Sequence, residues 1–326
     1  MILAMCDAHT SNLNISGEVI TVNPHGHISA RLYGSIPFTQ CLLVAYSLLL
    51  LLWSLCCLRY FHQLMSVHAL ITLVLASFSA DTLLHLLALL AYNRTGLPAP
   101  VATLSLLTTP LTHTLARGLL LTLAMGAGVT RASLGPATCR VLLACLLDFL
   151  VTLWDAFASA FAPARSAAIH TIPAGIANAA LYGWAFAALF RTLRELEEKK
   201  QTSKLQLFLR LRNVLCGGVL VAAAYTAAFG VATVRGAEGL WRIQWFCEDG
   251  VWALFFFLTL CCIAWLWAPN EHSLEYAYHV QVATDERTGS ELVSVQDDLI
   301  QGGEEEAGVM VSTVQGGVES LKPMNM

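Results

Sequence analysis

Apolar residues in this chain come in long unbroken runs separated by short polar stretches, at 36–58, 66–91, 102–128, 139–161, 168–190, 214–234 and 251–267. A hydrocarbon core about 30 Å thick needs roughly 20 apolar residues in helix. Each run comes close to that length or exceeds it. A membrane barrel would instead alternate apolar and polar positions over about 10 residues. The run Leu48-Leu49-Leu50-Leu51-Leu52 does not alternate. The pattern predicts an all-α polytopic membrane protein, a seven-transmembrane helix bundle.

Composition agrees. Hydrophobic residues make up 56% of the 326, charged residues 12%. A soluble domain carries about twice that charge. Charge is also unevenly placed: residues 269–326 net −9, which leaves +5 for the first 268 given −4 overall. Short-loop Lys and Arg set orientation. Ten fall on one side (Arg59, Arg131, Arg140, and seven between Arg191 and Arg212) and five on the other (Arg31, Arg94, Arg165, Arg235, Arg242). The ten-charge side is expected to be cytosolic. That puts the N-terminus in the lumen and the C-terminus in the cytosol.

Three regions follow. Residues 1–35 read as a short lumenal segment with no signal peptide: positions 1–13 have neither a basic leader nor an apolar core of useful length. Residues 36–268 form the bundle. Residues 269–326, acidic and Gly-rich, cannot bury enough apolar surface to fold. They read as a disordered cytosolic tail that docks sorting or coat factors. The basic linker between the fifth and sixth runs has the spacing of helical extensions beyond the bilayer and could touch anionic headgroups. Two sequons, at Asn14 and Asn93, fall on the lumenal side. Asn93 lies too close to a helix end, so Asn14 is the expected glycosylation site. Of ten cysteines only Cys6 and Cys247 read as lumenal, where a disulfide is allowed.

Ionisable residues inside a bilayer need a partner or a wet cavity. The second run carries Asp81 and His85, the third His113 and Arg117, the fourth Asp148 and Asp155, and the fifth Asn178, with His170 near its lumenal end. Helical rise places the first six in one layer displaced toward the lumen. The depth arithmetic allows Arg117 to pair with Asp81 or with Asp148. The layer reads in three ways: a buried ion pair fixing register, a lumenal-side cavity for a lipid headgroup or small ligand, or a proton or cation pathway. Catalysis is not expected. No close His pair of a zinc hydrolase, no Gly-x-Ser-x-Gly elbow, no Gly-x-Gly-Asp dyad and no phosphate loop occurs. No metal, cofactor or nucleic acid is implied.

Several strings, in order, match a known family. They are Asn23-Pro24-His25-Gly26-His27 ahead of Leu32-Tyr33-Gly34-Ser35-Ile36-Pro37-Phe38, Thr114-Leu115-Ala116-Arg117 ahead of Gly126-Ala127-Gly128-Val129-Thr130-Arg131, Trp241-Arg242 with Glu248-Asp249 and Trp252, and Trp265-Leu266-Trp267-Ala268-Pro269-Asn270 with Tyr276-Ala277-Tyr278. Over residues 22–282 the chain resembles the GOLD-domain seven-transmembrane-helix family, called GOST or lung seven-transmembrane proteins. Within it the chain is most similar to the Golgi branch that includes Elkin. The resemblance implies a lumenal β-sandwich ahead of the helices, residence in Golgi or endosomal membranes, and a role in retrograde endosome-to-Golgi transport. It also implies a bundle similar to Wntless with a lipid-accessible cavity and, for this branch, a proposed channel activity. Arg117 falls on the family's third-helix arginine, and Asp81 and Asp155 on positions where the family carries acids. The chain is expected to depart from the pattern, since residues 1–35 read as having no signal peptide and almost no lumenal domain and Thr112-His113 stands where the family tends to be basic.

The leading expectation is therefore a non-enzymatic trafficking protein with membrane lipids and a transmembrane cargo as partners. The alternatives are a cation channel or transporter using the charged layer, and a GPCR-like receptor. Against the receptor, the third run ends without an acidic-Arg-aromatic triplet and the seventh lacks Asn-Pro-x-x-Tyr.

Overall fold

The computed structural model describes residues 22–128, 130, 135–161, 167–234 and 243–269. Seven long helices run antiparallel through it: α1 (Ser35–Arg59), α2 (Ser66–Thr95), α3 (Pro100–Ala124), α4 (Ala137–Phe161), α5 (Ala167–Glu198), α6 (Thr202–Val234) and α7 (Val251–Leu266). No strand occurs among the described residues. Sequential helices pack side by side, α1 meets α7 to close the ring, and α3 packs against α2, α4 and α5.

The bundle is apolar on its outer face, and its mostly apolar interior also holds a set of polar groups. Leu48, Leu51, Leu52, Leu55 and Leu58 of α1 stand exposed on its outer face, where a bilayer would cover them. Arg117, Asp148, His68, Thr112 and Thr114 are buried. Six helices are long and apolar enough to cross a membrane on length and composition alone. The remaining one, α3, carries five threonines between Thr103 and Thr114, with His113 and Arg117. Its position explains the shortfall: an inner helix has little lipid to face and can carry the polar groups.

Helix ends are made by local chemistry. Pro100 opens α3 at its first turn, where its missing N–H costs nothing. Gly126, in the left-handed region at φ 78°, closes it. Thr192 of α5 donates to the carbonyl of Ala124 at 2.9 Å, giving that end a partner. At the N-terminus of α2, His68 Nδ1 accepts the N–H of Met65 at 2.9 Å. Trp53 Nε1 of α1 donates to Thr72 Oγ1 of α2, also at 2.9 Å. These contacts sit at the end opposite residues 22–35.

The apolar runs mark six helices within two residues at their N-terminal ends, and differ where a helix continues beyond the apolar stretch. α2 extends to Thr95, α5 to Glu198 and α6 back to Thr202, so the basic linker is mostly helix. α7 is preceded by a turn of π-helix, Phe246–Gly250, which the pattern did not reveal.

Candidate functional site

The intramembrane polar residues sort into three separate arrangements. In the first, Arg117 of α3 donates through Nε and Nη2 to Asp148 Oδ2 of α4, at 3.0 and 2.7 Å. Thr114 Oγ1 donates to the same oxygen at 2.8 Å. Arg117 is 7% and Asp148 2% exposed, so the depth arithmetic resolves in favour of Asp148. Asp148 Oδ1 is buried without a hydrogen-bond partner among the described residues.

The second lies toward the end of the bundle that carries residues 22–35. His170 Nδ1 of α5 meets Asp155 Oδ1 of α4 at 2.6 Å, and Thr171 donates to the same oxygen at 3.1 Å. This pair ties α4 to α5.

The third centres on Asp81 of α2. Its Oδ1 accepts from Thr108 and Thr109 of α3 at 2.7 and 2.9 Å. Threonine hydroxyls here take the place that arginine takes at Asp148. The sequence signal for them was the run of threonines on α3; Thr108 and Thr109 both also bond backwards to the Ser105 carbonyl. His113 packs edge-on against Phe256 at 4.6 Å and Phe78 at 5.7 Å.

Two cavities open among these groups. One, of about 630 Å³, is lined by His85, Ser105, His113, Arg117, Thr152 and Asn178 among others. Asn178 Oδ1 is buried there with no hydrogen-bond partner among the described residues. The other, of about 570 Å³, lies between α1, α2 and α7 and takes in Asp81, His85 and His113. His85, Thr109 and His113 belong to both. A third, smaller and more apolar cavity of about 260 Å³ lies beyond Arg117 against α5, α6 and α7. Of the expected residues, Asp81, His85, His113, Arg117 and Asn178 therefore share connected walls. Asp148 stands behind Arg117, and Asp155 stands apart with His170.

A strap of residues 22–35 crosses the mouth of the larger two. Asn93, at the end of α2, holds it. Its Oδ1 accepts the N–H of Ile28 at 3.1 Å, its Nδ2 donates to the carbonyl of His25 at 2.9 Å, and its own carbonyl accepts the N–H of His27 at 3.0 Å. Gly96 then turns left-handed at φ 70°, and a Cβ there would meet the His27 ring at 2.7 Å. Ile28 is 2% exposed. On the far side Arg31 reaches Glu248 at 3.4 Å, both exposed. Asn93 is thus a clasp. Asn14 and Cys6 lie outside the described residues, as does the tail from 270. Cys247 contributes its carbonyl to the Tyr225 hydroxyl at 2.7 Å.

Residues 35–274 match the family model described as GOST, seven transmembrane domain. The chain belongs to the GOST family. It is 24% identical to Transmembrane protein 87A of Xenopus tropicalis over 296 residues, 89% of this chain and 54% of the relative. It is likewise 24% identical to Transmembrane protein 87B of Homo sapiens over 301 residues, 89% and 53%. Membrane protein PTM1 of Saccharomyces cerevisiae is 24% identical over 278 residues, 81% and 53%. The chain spans about half the length of these GOST relatives. The polar layer described above lies wholly within the matched GOST segment.

Proposed function

We propose that the chain acts in retrograde endosome-to-Golgi transport as a multi-pass protein of Golgi or endosomal membranes. In this reading it is not an enzyme, and its lumenal-side cavities hold a lipid headgroup or part of a transmembrane cargo. The tail from 269 recruits cytosolic sorting or coat factors. The supporting observation is the pair of connected cavities, mostly apolar with a few polar groups, inside a bundle whose outer face is apolar. A cavity of several hundred Å³ with a few convergent polar groups has the dimensions of a ligand site. The Arg117–Asp148 pair sits between the polar cavities and the apolar one, a placement that suits a binding floor better than an ion path.

Deletion of the gene is expected to slow return of recycling receptors from endosomes to the Golgi, with re-expression restoring it. Unchanged retrieval kinetics in deleted cells would contradict the proposal. Purified chain in liposomes addresses the channel reading: cation flux abolished by Asp81→Asn would favour transport.

A further inference from the structure

Asp81 differs from the other two intramembrane carboxylates. Asp148 is bonded to an arginine and Asp155 to a histidine, while Asp81 is bonded to two neutral hydroxyls; His85 lies one turn on along α2 and lines the same cavity, and among the described residues no Lys or Arg pairs with Asp81. An ionised carboxylate at this depth calls for a compensating charge. Asp81 lines the cavity of about 570 Å³, and so do Phe38, Phe78, Trp245, Trp252 and Phe256. The rings fall in two groups: Phe38 meets Trp245 at 5.6 Å, and Phe78 meets Phe256 at 6.4 Å. Glu248 and Asp249 line the same cavity. Arg31 offsets one of these, through an exposed contact. The space is therefore anionic, aromatic and too large for a single bare ion.

Aromatic faces attract organic cations, and the attraction grows as water is removed. A metal ion would want several oxygen ligands at short range, and no group of three or more His, Cys, Asp or Glu suited to a metal occurs among the described residues. We propose that this cavity binds an organic ammonium group, with Asp81 as counter-ion and the aromatic rings as its cage. The assignment rests on the cavity-binding reading above and names the ligand's chemistry. Thr108 and Thr109 fix the carboxylate by occupying one oxygen, leaving the other for the ammonium. The ammonium can come from a free amine or from the headgroup of an amino-phospholipid.

The test uses the full chain in nanodiscs of phosphatidylglycerol, which brings no amino headgroup, and follows intrinsic fluorescence, since Trp245 and Trp252 line the cavity. Choline, its uncharged carbon isostere 3,3-dimethylbutan-1-ol, and hexanoate are titrated separately. The expected result is a saturable change with choline alone. Asp81→Asn should weaken it at least tenfold, and Phe256→Leu, which keeps the carboxylate, several-fold. Equal responses to choline and the alcohol, or unchanged choline affinity in Asp81→Asn, would overturn the assignment. Binding of hexanoate or the alcohol without choline overturns the ammonium while sparing the cavity reading; silence to all three overturns both. Native mass spectrometry of chain purified from cells separates the sources. A retained choline or ethanolamine phospholipid displaced by choline identifies a headgroup, and choline binding without retained lipid identifies a free amine.

Discussion

Arg117 and Asp148 are each too buried to stand alone, and the energetic consequence is specific. Removing one partner of a buried pair costs roughly 3–5 kcal/mol, because the other charge is left uncompensated, whereas replacing both with apolar residues of similar volume is often neutral. Arg117→Ala is therefore expected to lower the thermal unfolding midpoint of the purified chain strongly. Arg117→Met combined with Asp148→Leu should recover most of the loss. Additive losses in the double variant would show that the two residues do not act as a pair. The sequence held both residues but not their pairing. Helical rise fixes depth, and at equal depth Asp81 and Asp148 were equivalent partners. Which face of α2 or α4 turns toward α3 depends on packing, and the threonines supplied the missing discrimination by engaging Asp81 and leaving the arginine to Asp148.

Among the elements, the strap and the end of α2 were the least legible from sequence. Asn93 reads as half of a sequon, and only its contacts with His25 and Ile28 reveal a clasp. Gly96 reads as a helix stop, which it is, but its closeness to His27 is a tertiary fact. Apolar length marked the membrane-crossing part of α5 and α6, and the charge and leucine spacing of the linker between them marked the helical extensions that follow. Asn93→Ala removes two side-chain hydrogen bonds worth about 1 kcal/mol each. Gly96→Ala forces a left-handed alanine at about 1–2 kcal/mol, with the ring contact in addition. Both are expected to make the strap more sensitive to limited proteolysis. Asn93→Gln should leave the chain's glycosidase-sensitive mobility unchanged. A mobility shift on that substitution would mean the clasp is not formed when the glycan is added.

For the whole molecule, seven helices, with α3 packed among α2, α4 and α5, place a polar layer in the interior, reached from the end that the strap covers. The runs of apolar residues made the all-α membrane bundle readable before any coordinates, since only helices satisfy their own backbone in lipid over such lengths. The cavities were not readable, because empty space is a property of packing between helices and leaves no mark in a single run. The account's central claim is that this layer opens to the lumen. Ala102 lines the larger cavity, so Ala102→Cys gives the most direct measurement, with the unsubstituted chain as blank for its native thiols. In sealed Golgi vesicles with their cytosolic face outward, a membrane-impermeant maleimide should label the new cysteine only after the vesicles are opened. Labelling in intact vesicles, or none after opening, would contradict it.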